Sequence, residues 1–182
     1  MSPFQVRLIE DITNLLEDPE TADFTLKCGS KSFKVHKAVP GARSKVFRAM
    51  FLSGMTDAVD GEAIITDVEE KTLEEILHYL YTGKLSGKDF GVRSLCYAAD
   101  KYELDALMDM ICEKIRGVKL EAGELADVFI AGEMFNKEEM YEIAMKELKK
   151  NNGILNDKRF EGKVKAWPDL LCKIIVSIST NE

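Results

Sequence analysis

At 182 residues the chain has room for one ordinary domain, or one domain with a small satellite. A hydrophobic share of 46% and a charged share of 31% suit a protein with a buried core, and no stretch approaches the roughly 20 apolar residues that a membrane-spanning helix needs. A net charge of -7 with no long basic stripe argues against phosphate backbones as direct ligands.

From the N-terminus, Leu8, Ile12 and Leu15 recur at spacings of four and three. Residues 5–17 therefore read as a helix with an apolar stripe that Ile9 and Leu16 widen and that something must cover. Asp18-Pro19 ends it, since proline disfavours helical backbone in the residue before it. Phe24, Leu26 and Cys28 then alternate with Thr25 and Lys27, and Phe33 and Val35 with Ser32 and Lys34, around Gly29 and Ser30; this predicts a hairpin. From Lys37 to about Leu52 the pattern is helical, with Val46, Phe47, Met50 and Phe51 on one face and Ser44 placed to cap a second short helix. Pro40 fits if the first helix opens at His36 or Lys37, because first-turn N–H groups have no intrahelical acceptor to lose. Residues 53–61 read as a polar loop around Met55, and Ala63 to Thr66 as a short edge-like strand.

The remainder reads as helical. Leu73, Ile76, Leu77 and Leu80 form one helix closed by Thr82-Gly83, with Gly83 suited to the left-handed closing position. Val92, Leu95, Cys96 and Ala99 form the next, and Leu104, Leu107, Met108, Ile111, Cys112 and Ile115 a third, broken at Gly117. Leu125, Val128 and Phe129, then Met140, Ile143, Ala144 and Leu148, mark two more, stopped by Asn151-Asn152-Gly153. A last helix opens at Trp167-Pro168 and runs through Leu171, Ile174, Ile175 and Ile178. The expected class is α+β: a small sheet with many helices, then a short helical tail.

Little in this pattern suggests catalysis. His36 and His78 have no second ligand at metal-binding spacing, and Cys28, Cys96, Cys112 and Cys172 form no Cys-x-x-Cys pair, so no metal and no cofactor is expected. The cysteines read as buried small hydrophobes of a reducing compartment. Gly83, Gly87 and Gly91 lack the lysine and hydroxyl residue of a phosphate loop, and Gly-x-Ser-x-Gly is absent. Glu69-Glu70 and Glu138-Glu139 stand at helix starts, where solvated carboxylates suit the dipole. Met1 to Leu8 has neither the charge nor the apolar run of a signal peptide, so a nuclear or cytoplasmic location is expected. Lys146, Lys149 and Lys150 read as a solvated helix face rather than a nuclear signal.

Asp23 opening a strand, Phe33-Lys34-Val35-His36-Lys37-Ala38-Val39, Ala42-Arg43-Ser44, Val46-Phe47 and Met50-Phe51 together make a pattern that resembles the BTB/POZ domain. Tyr81-Thr82-Gly83 continues the likeness, and Ala98-Ala99-Asp100-Lys101-Tyr102 is similar to the speckle-type POZ subfamily. The resemblance covers residues 6 to 116 and implies a BTB/POZ fold over 1–117, a small three-stranded sheet flanked by helices. A short all-helical BACK-like extension is implied over 118–182.

The same resemblance implies a non-catalytic homodimeric adaptor that binds the cullin-3 N-terminal region of a ubiquitin ligase. Leu8, Ile12, Leu15 and Val39 match positions that pack across a two-fold dimer interface; periodicity alone leaves as the alternative a stripe that folds onto its own chain. Asp23 and Lys37 match a charged pair near the dimer groove. Met55-Thr56-Asp57 occupies the place of a cullin motif of hydrophobic residue, any residue, glutamate, and Asp57, one methylene short, implies retained but weakened binding; a Met55 folded back onto the domain is the alternative. Ile175 falls where the subfamily carries a tyrosine of a second self-association surface. The subfamily's substrate-reading MATH domain has no counterpart ahead of the first helix, as expected of an excised domain or of a protein whose reader is another subunit. A scaffold that binds no cullin and co-assembles with relatives or transcriptional regulators is the alternative function; a tetrameric channel-type domain is disfavoured by the leading helix.

Overall fold

A computed structural model describes residues 3–52, 61–87 and 91–179. In chain order the elements are α1 (Pro3–Leu15), β1 (Phe24–Cys28), β2 (Lys31–Val35), α2 (Ala38–Arg43), α3 (Lys45–Leu52), β3 (Glu62–Ile65), α4 (Glu70–Thr82), α5 (Val92–Lys101), α6 (Asp105–Ile115), α7 (Ala122–Met134), α8 (Glu138–Lys150), a 3-10 turn (Asn152–Asn156), α9 (Lys158–Val164) and α10 (Pro168–Ser179). The α+β expectation is met, with a small three-stranded sheet among helices followed by further helices. The chain forms two compact units, Met1–Phe90 with Ala98–Leu107 and Gly91–Tyr97 with Met108–Glu182.

In the first unit the strand order is β2-β1-β3. β1 and β2 pair antiparallel, Phe24 opposite Val35 and Cys28 opposite Lys31, while β3 runs parallel to β1 with Cys28 beside Ile65. The period-2 pattern read from the sequence puts Phe24, Leu26, Cys28, Val35, Ala63 and Ile65 on the buried face. α4 supplies Leu73, Ile76, Leu77 and Leu80 to the core and ends where Gly83 turns left-handed at φ 68°. Its last carbonyls do not go unmet: Arg43 donates to Tyr79 O at 3.0 Å and Leu80 O at 2.7 Å and lies 4.6 Å above the Tyr79 ring.

Ser44 stands between α2 and α3, as the sequence suggests, and its hydroxyl oxygen accepts from Phe47 N at 3.1 Å. The same hydroxyl donates to Tyr102 O at 2.7 Å, and the Tyr102 ring stacks on Phe47 at 4.5 Å. Pro40 lies buried in the first turn of α2. Glu70 differs from the solvated carboxylate expected of it. It accepts Ser30 N at 2.5 Å and Ser30 Oγ at 2.8 Å, clamping the hairpin turn to α4 so closely that a Cβ at Gly29 would strike its carboxylate.

The second unit is built around α7, whose Leu125, Ala126, Val128, Phe129, Ile130 and Ala131 are all fully buried. A helix apolar on every side belongs in the middle of its neighbours, and α8, α9 and α10 each pack on it. Gly132 lets α8 pass close, since a Cβ there would lie 3.2 Å from Tyr141 N. The 3-10 turn and α9 are corrections to a reading that ran from Asn151-Asn152-Gly153 straight to Trp167. Asp157 caps α9 by accepting from Arg159 N at 2.8 Å, and α9 sends Phe160 and Val164 into the core. Cys172 is a second correction: it is exposed, on the outward side of α10, because Leu170 and Ile174 take the inward side.

Candidate protein-interaction surface

α1 lies against α4. Ile9, Ile12, Thr13 and Leu15 of α1, and Leu16 just after it, are half-buried and include the spacing of three and four that marks the side turned to its own chain. Leu8 is 52% exposed and Val6 42%. The stripe is thus shared: Ile9, Ile12, Leu15 and Leu16 are half-covered by the chain itself, and Leu8 is left largely to solvent. Val39, on α2, is half-buried.

Asp23 and Lys37 do meet, but not as two charges face to face. Asp23 Oδ1 accepts from the Lys37 backbone N–H at 2.8 Å, satisfying a donor at the entry to α2, while the Lys37 ammonium stands 5.1 Å over the Phe24 ring.

A cleft of about 500 Å³ separates α2 from α3, lined by Lys37, Ala38, Gly41, Ala42, Arg48, Phe51 and Leu52. Sequence reasoning missed it because its walls come from two helices joined by a single residue, and no periodicity reports the crossing. Gly41 faces Phe51 across the cleft, and a Cβ there would meet the Phe51 ring in ordinary contact at 3.5 Å. Leu52, at the end of α3, is 73% exposed, a large apolar side chain at the point where the chain departs toward Met55. Met55, Thr56 and Asp57 themselves lie outside the described residues.

On α10, Ile175 is 52% and Val176 59% exposed, and both share a side with Cys172. The helix is held on that unit by Lys173, 3.6 Å from Glu133, 3.7 Å from Glu138 and 4.2 Å above the Tyr141 ring, and by the Tyr141 hydroxyl 3.0 Å from Ser177 Oγ.

The thiols are poor nucleophiles where they are buried. Burial pushes Cys96 up to about 12 and Cys112 to about 11, so both stay protonated at neutral pH. Among the described residues no cluster of three or more His, Cys, Asp or Glu is placed to hold a metal ion, and no helix is long and apolar enough to cross a membrane. The surface offers exposed apolar side chains on α1, α3 and α10 and a cleft flanked by two cations, features that bury against other chains.

Comparison with known proteins agrees with this geometry. The BTB/POZ domain family model matches residues 12–120. Among solved structures, the BTB domain of zebrafish PATZ1 superposes with a TM-score of 0.54 at 24% identity, covering 63% of this chain and 93% of that one. The BTB domain of human gigaxonin does so with a TM-score of 0.52 at 20% identity, with the same coverage of 63% and 93%. At such identities the likeness speaks for the fold, and the family match over more than half the chain speaks for descent: this chain belongs to the BTB/POZ domain family, whose members are generally non-catalytic modules of protein–protein interaction and dimerisation.

Proposed function

We propose that this chain is a homodimeric adaptor of the speckle-type POZ kind that docks on the N-terminal region of cullin-3, with substrate reading supplied by another domain or subunit. Leu8, Ile12, Leu15 and Val39 carry the dimer contact, and Asp23 fixes the entry of α2 beside it. Met55-Thr56-Asp57 carries the cullin contact, and residues 118–182 serve as the BACK-like extension that follows a BTB domain of residues 1–117. Ile175 is assigned to a second self-association surface. The working location is nuclear or cytoplasmic, where cullin ligases act.

The observation that carries the reading is Leu52: α3 ends in a 73% exposed leucine, beside the α2–α3 cleft, and the next large apolar residue in sequence is Met55. An exposed leucine and a methionine three residues on in sequence are the apolar side chains that a partner's pocket would bury. Calorimetric titration against the cullin-3 N-terminal domain, with Met55→Ala alongside, tests it. Submicromolar binding lost in the variant supports the adaptor reading and makes Asp57 sufficient in glutamate's place. Absence of heat at every workable concentration sinks it and leaves the second reading, a dimeric scaffold that co-assembles with relatives or transcriptional regulators; the exposed Leu8 end of α1 favours that scaffold as much as the adaptor.

A further inference from the structure

A relay of hydrogen bonds runs from the surface turn after α1 into the core. Tyr81, 2% exposed on α4, accepts from the His36 backbone N–H at 2.8 Å, and its hydroxyl lies 3.1 Å from His36 Nδ1. His36 Nε2 is 3.0 Å from Thr21 Oγ1, and Thr21 Oγ1 donates to Asp18 Oδ2 at 2.7 Å. Asp18 also accepts Glu20 N at 3.1 Å, closing a turn just beyond the end of α1.

The direction of every proton in this relay follows from its outer end. Asp18 is held below the ordinary carboxylate range, first by the Thr21 hydroxyl, so it is ionised and can only accept. Thr21 has one hydroxyl proton and gives it to Asp18. His36 Nε2 must then be the donor to Thr21, which leaves Nδ1 with a lone pair. That lone pair receives the Tyr81 proton, and the buried hydroxyl is satisfied in both its roles. With the imidazole neutral, the outer end selects one tautomer, protonated at Nε2, and the Tyr81 end accommodates it.

We infer that this relay is a clasp that fixes how α1 lies on α4, and so which side of the Leu8-Ile12-Leu15 stripe stays outward for a second copy of the chain. Asp18 and Thr21 follow α1 by only a few residues; His36 follows β2, and Tyr81 belongs to α4, against which α1 lies. The relay therefore ties the turn that leaves the C-terminal end of a marginally buried helix to a buried core side chain. Its effect on association rests on the dimeric reading; its effect on α1 does not.

The test uses Thr21→Val, an exposed near-isosteric change that cuts the middle link, and Thr21→Ser, which restores it. First, nitrogen NMR of the imidazoles in His78→Gln protein, which leaves His36 as the remaining histidine, reads the tautomer. The Nε2–H form is expected; the Nδ1–H form overturns the relay. Second, hydrogen exchange is followed in a Leu8→Glu background, so that association contributes nothing. Thr21→Val is expected to speed exchange across α1 by about fivefold to tenfold, as for one hydrogen bond lost, while β1 amides keep their rates and Thr21→Ser returns α1 to its own. Unaltered α1 exchange overturns the clasp. Third, sedimentation without the Leu8 change is expected to show the dimer dissociation constant raised by a similar factor in Thr21→Val. An unchanged constant with faster α1 exchange overturns the link to association. A wild-type chain that is monomeric throughout defeats the dimeric reading instead, and the tautomer and exchange results then decide the clasp.

Discussion

Glu70 illustrates how much a single side chain can do that its sequence position does not announce. Ser30, whose N–H and hydroxyl bond to it, stands below the usual proximity of any local motif, 40 residues earlier in the chain. Those bonds, the backbone N–H first, hold the carboxyl below its ordinary range. A carboxylate depressed in the folded state contributes stability that is complete above its unfolded value and is lost as pH falls through the depressed folded one. Glu70→Gln keeps an acceptor for Ser30 but removes the charge. We expect the variant to be less stable than wild type near neutral pH and the difference to shrink as the medium is acidified below the ordinary carboxylate range. Denaturant midpoints by circular dichroism at neutral and acid pH check this, and a constant difference across pH contradicts it. The carboxylate at a helix start was legible from sequence; its partner was not, because only the folded hairpin brings the Gly29-Ser30 turn to α4.

At the scale of elements, legibility followed periodicity. β1 and β2 alternate strictly, α4 and α6 carry long apolar repeats, and Ser44 and Gly83 mark boundaries by chemistry that is local, so all of these could be read from the chain. β3 was found as an edge strand, although its parallel pairing with β1 comes from a tertiary crossover and leaves no local trace. α9 was missed because seven residues hold only two apolar positions, Phe160 and Val164, too few to establish a period. Asp157 before them was the available cue, an N-cap residue whose side chain accepts from Arg159 N. Phe160 is 1% exposed and meets the Phe129 ring edge-on at 6.1 Å, so the missed helix is a structural wall of its unit. Phe160→Ala is expected to destabilise that unit by roughly 3–5 kcal/mol, the range for an aromatic side chain deleted from a core. Trp167, the sole tryptophan, stands between α9 and α10 and reports on this unit alone. Its fluorescence transition in urea should move to markedly lower denaturant in the variant; a shift equivalent to less than about 1 kcal/mol would mean that α9 is not needed to close the core.

At the scale of the whole molecule, the interaction surfaces differ from the core in what the sequence could say of them. An apolar stripe on α1 was visible, but the division of that stripe between the chain's own α4 and solvent required coordinates, and the α2–α3 cleft required two helices in place. What remains outward at Leu8 is apolar, whereas each chain as a whole carries a net charge of -7. Two copies brought together through such a contact gain from removing apolar area, which salt scarcely weakens, and lose from the repulsion of like net charges, which salt screens over about 8–10 Å at ordinary ionic strength. A dimer held at Leu8, Ile12 and Leu15 is therefore expected to tighten, by roughly twofold to tenfold, as sodium chloride rises from dilute buffer to several times physiological strength. An interface made instead by opposite charges, such as Lys37 and Arg48 of the cleft meeting acidic side chains of another copy, has the reverse dependence. Sedimentation equilibrium at low and high salt separates the two. Leu8→Glu supplies the control: at a site already 52% exposed it leaves the isolated chain's stability nearly unchanged, and, because a two-fold contact contains the change twice, it should abolish the dimer at every salt concentration. Weakening of the wild-type dimer by salt, or a Leu8→Glu chain that still dimerises, would place the contact elsewhere on the surface.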